Sequence, residues 1–127
     1  MQHIEHIGIA VKNLAFSNDL FTKLLGTSPY KSEGVMTSFF QTGQTKIELL
    51  EATNPDSPIA KFIEKKGEGI HHIAFEVADI LAEMERLKNE GFILLNEKPK
   101  QGADNKLVCF LHPKGTNSVL IELCQSV

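Results

Sequence analysis

The sequence predicts an α+β fold built from two tandem βαβββ modules, and an internal repeat carries that prediction. A β-type run that starts with histidine, followed by a helical stretch that closes on glycine, occurs at residues 6–26 and again at 72–91. Each copy later reaches a strand-like run with a glutamate among aliphatic residues, at 46–51 and 119–124. Two matched landmarks in the same order indicate an internal duplication.

The length of the chain limits how this duplication is organised. With 127 residues there is room for one hydrophobic core but not for two independent domains. We therefore predict a single domain, 1–127, with modules at about 1–53 and 69–127 joined by a short helical linker, 54–68. A composition of 42% hydrophobic and 23% charged residues excludes a disordered chain or a coiled coil.

The first module follows from local patterns. Alternating apolar residues predict a strand from His6 to Val11, and Asn13 stands where its side chain can cap a helix. Gly26 is expected to end that helix in the left-handed conformation. Strands are predicted at 35–41 and 45–50. The residues expected on the apolar helix face are Leu14, Leu20, Phe21, Leu24 and Leu25.

A short helix is predicted between the modules. Ser57 is placed to cap it and Pro58 to begin its first turn, and the helix should run from Ile59 to Lys65 or Lys66. The turn residues of the preceding segment, 54–58, mark the end of the first module.

The second module repeats the pattern of the first. A strand is predicted from Ile70 to Val77, Asp79 is the expected helix cap, and Gly91 should close the helix. The apolar face of that helix is expected to contain Ile80, Met84 and Leu87, with Leu81 beside them. Three strands should follow, at 92–96, 106–111 and 118–123.

The charge, the hydropathy and the cysteine content limit which partners and which cellular location we expect for the protein. A formal net charge of −3 without a concentrated basic patch argues against nucleic acid. No apolar run approaches the ~18 residues of a membrane span, and the N-terminus does not read as a secretory signal. Cys109 and Cys124 lie in apolar strand-like runs, which predicts reduced core residues of a cytoplasmic protein.

Four residues occupy equivalent places in the two copies, namely His6, Glu48, His72 and Glu122. If the two sheets face one another, these side chains can converge. Two imidazoles and two carboxylates suit a divalent first-row metal. A carboxylate on a largely apolar strand face also needs a partner, because its burial is otherwise costly.

Other chemistry-bearing residues give weaker signals. His71 neighbours His72 in a strand and should therefore point to the opposite face. His112, Lys114 and Lys106 are candidates to meet a substrate, the lysines through its anionic groups. Dinucleotide-binding, phosphate-loop, zinc-protease and nucleophile-elbow motifs are all missing from the sequence.

Several stretches resemble a known family. His-Ile-Gly-Ile-Ala-Val, Lys-Ile-Glu-Leu-Leu-Glu, Ser-Pro-Ile-Ala-Lys-Phe-Ile, Gly-Ile-His-His-Ile-Ala-Phe-Glu-Val, Phe-Leu-His-Pro-Lys and Val-Leu-Ile-Glu-Leu-Cys look like the vicinal oxygen chelate (glyoxalase/bleomycin-resistance/dioxygenase) superfamily. Within it they are most similar to the methylmalonyl-CoA epimerases. The match covers nearly the whole chain, and the stretches 57–63, 69–77 and 110–114 are the most specific to the epimerases.

The resemblance implies a metal-dependent isomerase that interconverts the (R) and (S) forms of methylmalonyl-CoA in propionate metabolism. It implies His6, Glu48, His72 and Glu122 as ligands of one divalent metal, with cobalt expected and zinc, nickel, manganese or magnesium possible. Glu122 is implied as a catalytic acid/base, and Glu48 is only a candidate for the other group. The resemblance also implies a curved, partly open mixed β-sheet barrel around the metal site. It implies an acyl-CoA thioester as the substrate and a homodimer as the assembly.

The chain departs from the family pattern in places, and other functions remain open. Asn117 and Ser118 stand where the epimerases often have two glycines, and neither Thr37 nor Ser38 can serve as the second base that some members carry nearby. The connection at 30–34 looks several residues shorter than in the family. The alternatives are a glyoxalase I-type lactoylglutathione lyase, an extradiol dioxygenase and a non-catalytic, resistance-type binding protein on the same scaffold.

Overall fold

The computed structural model describes residues 1–33 and 36–127, with residues 31–33 described by their backbone. Two compact units are formed, one by His6–His71 and the other by Met1–Glu5 with His72–Val127. The βαβββ order predicted for each half is confirmed, and so is the α+β class.

The first half runs through five elements and is followed by a linker helix. In chain order these are β1 (His3–Ala10), α1 (Leu14–Leu25), β2 (Lys31–Glu33), β3 (Thr37–Thr42), β4 (Thr45–Leu50) and α2 (Pro58–Lys66). The strands lie in the order β2-β3-β4-β1, where β1 and β4 are parallel and the other pairs antiparallel. The strand predicted at 45–50 is confirmed in full. The predicted start of the preceding strand, Val35, lies outside the described residues.

The second half repeats this arrangement. Its elements are β5 (Gly69–Glu76), α3 (Ile80–Asn89), β6 (Lys100–Gln101), β7 (Lys106–Leu111) and β8 (Ile121–Ser126), with short 3₁₀ turns at Ala103–Asn105 and Pro113–Gly115. The strands lie in the order β5-β8-β7-β6, where β5 and β8 are parallel and the other pairs antiparallel.

The predicted helix caps are confirmed. Asn13, Ser57 and Asp79 each accept a hydrogen bond from a backbone N–H three residues further on, which satisfies a donor of the first helical turn. Gly26 follows α1 with φ of 74° and Gly91 follows α3 with φ of 98°. Both glycines adopt a conformation that L-residues avoid, as helix-closing residues commonly do.

Each half buries one sheet face against its helix. In the first half Leu14 of α1 packs with Phe40 and Leu49. In the second half α3 covers a larger cluster, made of Val77, Ile80, Met84, Leu87, Cys109, Leu111 and Leu123. Glu48 and Glu122 lie on the opposite face of each sheet, and in the second half they share that face with a smaller apolar cluster of Ala74, Val108 and Cys124.

Part of the predicted helix packing is wrong. Leu20 and Leu24 are 51% and 70% exposed, and Leu81 is also exposed. Phe21 and Leu25 do pack on the first core, and Ser17 is buried in the same helix. The apolar residues of α1 extend around more of its circumference than the sheet can cover.

Two strand predictions in the second half are also wrong in position. Residues 92–96 make only an isolated bridge, between Leu94 and Leu111, with Phe92 and Leu94 packed against the α3 cluster. The last strand begins at Ile121 because Asn117 and Ser118 have positive φ and form a turn.

Within the described residues, no helix is long and apolar enough to cross a membrane. Both cysteines are buried and free, as predicted. The cytoplasmic location inferred from them stays a prediction.

Candidate metal centre

The first half positions a buried carboxylate beside a buried imidazole. Glu48 of β4 lies opposite Gly8 on the parallel strand β1 and opposite Phe39 on the antiparallel strand β3. Gly8 has no side chain, and His6 lies two residues earlier on the same face of β1. The His6 Nε2 atom lies 3.4 Å from Glu48 Oε1, and both side chains are less than 10% exposed.

The second half repeats this geometry. Glu122 of β8 lies opposite Ala74 on the parallel strand β5 and opposite Phe110 on the antiparallel strand β7. His72 precedes Ala74 by two residues on the same face of β5. The distance from His72 Nε2 to Glu122 Oε1 is 3.2 Å, and both side chains are again less than 10% exposed. Each glutamate thus has a small residue on one side and a phenylalanine on the other.

The donor geometry within each pair fits a metal ion. Two ligand atoms that each lie about 2.1 Å from an ion, at tetrahedral or octahedral angles, are about 3.0–3.4 Å apart. The two His–Glu separations fall in that interval. Imidazole nitrogen and carboxylate oxygen are also the donors that borderline divalent ions accept. Each pair can therefore provide two neighbouring ligands of one coordination shell.

Aromatic rings form part of the walls around these pairs. The ring of Phe110 packs edge-on against the imidazole of His72, with centroids 6.1 Å apart. In the first half, the ring of Tyr30 lies 6.4 Å from that of Phe39, which faces Glu48 across the ladder. Apolar surroundings strengthen the interaction of a carboxylate with any cation bound to it.

Lys106, predicted to meet a substrate, lies in a buried polar network. Its Nζ atom lies 3.2 Å from Glu76 Oε1 and 3.7 Å from Glu5 Oε2, and it donates a hydrogen bond to Ser126 Oγ at 2.6 Å. The backbone N–H of Ser126 donates to the other oxygen of Glu76. The Lys106 side chain is only 12% exposed.

Sequence reasoning missed the two acidic members of this network. Glu76 follows His72 by four residues, so strand alternation places it on the same face. Glu5 is also buried, although it is adjacent to His6 in sequence. The sequence did contain a signal for Glu76, because the period-2 alternation that starts at His72 in β5 continues as far as this residue.

The thiol of Cys124 lies next to the second pair and is held in its protonated form. Burial raises the pKa of Cys124, and nearby carboxylates, led by Glu122, raise it further. A thiol with a raised pKa stays protonated at neutral pH, whereas nucleophilic cysteines need the thiolate. Cys124 packs in the apolar cluster with Ala74 and Val108.

The remaining predicted site residues lie outside the His–Glu pairs. His112 Nδ1 accepts a hydrogen bond from the backbone N–H of Lys114, which closes the turn after β7. Lys114 itself is an exposed residue. Thr37 lies on the same face of β3 as Phe39, opposite Leu50, and supplies only a hydroxyl.

Comparisons with known proteins agree on one family. Residues 5–110 match the family model described as "Glyoxalase/Bleomycin resistance protein/Dioxygenase superfamily". An ethylmalonyl-CoA/methylmalonyl-CoA epimerase from Cereibacter sphaeroides is 43% identical over 129 residues, which are 96% of this chain and 96% of that protein.

Solved structures give the same result. A methylmalonyl-CoA epimerase from Mycobacterium tuberculosis superimposes with a TM-score of 0.92 at 31% identity, covering 98% of this chain and 88% of the other. A methylmalonyl-CoA epimerase in complex with methylmalonyl-CoA and NH₄⁺ has a TM-score of 0.92 at 33% identity, covering 100% and 96% of the two chains. The resemblance predicted from the sequence motifs is confirmed.

The buried network around Lys106 generates a stability prediction. Lys106→Met removes the ammonium and leaves the carboxylates of Glu5 and Glu76 buried without it. We expect the free energy of unfolding to fall by about 3 kcal/mol, as when one partner of a buried ion pair is removed. Urea denaturation followed by circular dichroism measures the change. Lys114→Met, at an exposed lysine, is the control and should stay within about 0.5 kcal/mol of the parent; an equal loss in both variants would contradict the prediction.

Proposed function

This chain belongs to the glyoxalase/bleomycin resistance protein/dioxygenase superfamily, and we propose that it is a metal-dependent epimerase of methylmalonyl-CoA. The observation that carries the proposal is the duplicated, buried His–Glu pair in a chain with a near-full-length relative that is named an epimerase. We propose that the two pairs, His6 with Glu48 and His72 with Glu122, together ligate one divalent ion.

The reaction is a proton exchange at C2 of the methylmalonyl group. Removing the proton leaves an enolate, and returning a proton to the opposite face inverts the configuration. When bound, the ion supplies Lewis-acid stabilisation of the negative charge that develops, a contribution of several kcal/mol. The protein has to hold the acyl group and move the proton.

Glu122 is our choice for one proton-transfer group. Its carboxylate is buried between Ala74 and Phe110, where bulk water does not compete for the proton. Glu48 is the candidate for the opposite face, since the first half gives it an equivalent setting between Gly8 and Phe39. Both carboxylates can serve as general acid or base only within hydrogen-bond reach of C2.

Substrate contacts outside the metal centre are proposed at the end of β7. His112 and Lys114 lie in the turn that follows this strand, whose Phe110 flanks Glu122. Lys114 is exposed and can reach an anionic group of the acyl-CoA. For Lys106, contact with substrate stays a prediction, because its ammonium also holds Glu76 and Ser126.

Among the alternatives, the relatives favour the epimerase. The Cereibacter protein and the two structural neighbours described above carry epimerase names. A lactoylglutathione lyase would use similar ligands, so a parallel assay with methylglyoxal and glutathione separates the two reactions.

The role of Glu122 is tested by hydrogen exchange. In deuterated water with metal present, the parent protein should exchange the C2 proton of methylmalonyl-CoA, as followed by NMR. Glu122→Gln keeps the shape but loses the base, and we expect the exchange rate to fall at least about 100-fold. Glu85→Gln, at an exposed helix position, should retain the parental rate. Full exchange by the Glu122 variant would refute the assignment.

Metal binding is tested by titrating the protein with Co²⁺ after chelator treatment and recording visible absorption. We expect one ion per chain, and His6→Ala or His72→Ala should each weaken binding at least about tenfold because each removes a proposed ligand. His3→Ala is the matched control. Competition with zinc, nickel, manganese and magnesium tests whether cobalt is preferred. Undiminished Co²⁺ affinity in either variant would show that the two pairs do not share an ion.

We also propose a homodimer. The α1 residues Phe16, Leu20 and Leu24 recur every four positions, and all three are at least half exposed. Such a stripe on one helix face suits a symmetric contact between two copies. Light scattering should give twice the 14.1 kDa chain mass, and Leu24→Glu should lower it. A single-chain mass for the parent protein at micromolar concentration would exclude the dimer.

A further inference from the structure

The linker helix α2 carries a cationic surface that the metal centre does not use. We define the α2 lysine surface as Lys61, Phe62, Lys65, Lys66 and His71. At 100° per residue, the three lysines of α2 flank Phe62 on one side of the helix. They line a groove of about 520 Å³ together with Pro58, Glu64 and His71.

The aromatic centre of this surface is held in place. The Phe62 ring packs edge-on against the His71 imidazole, with centroids 5.0 Å apart and planes at 81°. The Lys66 Nζ atom lies 5.8 Å from the centroid of the same ring. Phe62 is therefore partly buried, and its ring contacts both an imidazole and an ammonium, the kinds of neighbour that aromatic rings favour.

A second groove lies along a different side of α2. Ala60 and Ile63 line a second groove with Val11 and Glu51, the residues that follow β1 and β4. Phe62 does not line that groove. Phe62 and its lysines therefore lie on a different side of α2 from Ala60 and Ile63, and no residue of this helix is fully buried.

The charge of this surface is unusual for the chain. The protein has 13 lysine and arginine residues against 16 acidic ones, yet three lysines gather on this one helix face. Glu64 is the one acid among the lining residues, and it lines both grooves of α2. Three ammonium groups and an imidazole around an aromatic ring suit a ligand that combines phosphates with a planar base.

The proposed substrate carries such a group. The coenzyme A half of an acyl-CoA thioester ends in an adenine nucleotide with three phosphate groups. His71 directly precedes the proposed metal ligand His72, on the opposite face of β5. The pairing of β5 with β8 begins at Ile73, and Ile70 is 59% exposed. His71 of the α2 lysine surface and the proposed ligand His72 are thus neighbours in the chain, on opposite faces of one strand.

We propose that the α2 lysine surface binds the phosphorylated adenine end of the acyl-CoA, with Phe62 stacking on the base and Lys61, Lys65 and Lys66 on the phosphates. This inference rests on the proposed function for its substrate. It assigns to α2 a share of substrate binding that is separate from the proton transfer at C2.

The kinetic experiment compares two substrates. The variant Lys61→Gln/Lys65→Gln/Lys66→Gln is assayed with methylmalonyl-CoA and with methylmalonyl-pantetheine, which lacks the nucleotide. We expect KM for the CoA thioester to rise about tenfold or more with kcat within about twofold, because binding that is equal in ground and transition states is lost. Both constants for the pantetheine thioester should be unchanged. An unchanged KM for the CoA thioester would overturn the proposal.

Matched variants distinguish an effect of the α2 lysine surface from an effect of the net charge of the protein. Lys23→Gln/Lys88→Gln/Lys98→Gln changes the net charge equally at lysines elsewhere and should leave both KM values unchanged. Phe62→Leu keeps an apolar side chain but loses the ring, and it should raise KM for the CoA thioester alone. Glu64→Gln removes the acid of the groove and should lower that KM. A rise of KM in the control triple equal to that in the α2 triple would overturn the proposal.

A direct measurement of ligand binding tests the α2 lysine surface without relying on catalytic turnover. Calorimetry of the metal-loaded protein with adenosine 3′,5′-bisphosphate needs no epimerase activity. Binding that is about tenfold weaker in the α2 triple supports the surface even if the parent protein shows no exchange at C2, in which case only the proposed function falls. Equal binding by the parent and the triple overturns the surface whether or not the protein is an epimerase.

Discussion

The site depends on one constraint, which is that a carboxylate buried on a sheet face needs a partner. Glu48 and Glu122 both lie on the face of their sheet that the helix does not cover, and each has a histidine within 3.5 Å. A small residue on the parallel strand and a phenylalanine on the antiparallel strand complete both settings. Strand register therefore determines the chemistry, because a shift by one residue would turn each glutamate towards the helix.

The two halves differ at the ends of these strands. Two residues beyond the small residue, β1 has Ala10 where β5 has Glu76, and two residues beyond the glutamate, β4 has Leu50 where β8 has Cys124. The first half thus ends in apolar packing. The second ends in the polar network of Lys106, whose ammonium offsets the carboxylates of Glu5 and Glu76. Duplication preserved the ligand pairs and left the ends of the strands free to diverge.

The sequence predicted local elements better than long-range ones. The strands at 45–50 and 106–111 agree with the structure because alternation and turn residues set both of their ends. Residues 92–96 have the composition of a strand, but they form only one bridge to β7. Phe92 and Leu94 pack on the α3 cluster, whereas Ile93 and Leu95 are about half exposed. The His–Glu pairs were predictable because they occur twice. The partners of Lys106 were not, since Glu5 and Glu76 come from strands far apart in sequence.

One aromatic contact gives the molecule a spectroscopic property of its own. The chain has no tryptophan and one tyrosine, so ultraviolet emission from the folded protein comes from Tyr30. That ring packs on Phe39, which faces Glu48 across the β3–β4 ladder. A single neighbouring ring thus separates the one tyrosine of the chain from Glu48. We therefore expect its emission to report a rearrangement on the first-half side of the proposed metal centre, with no label required.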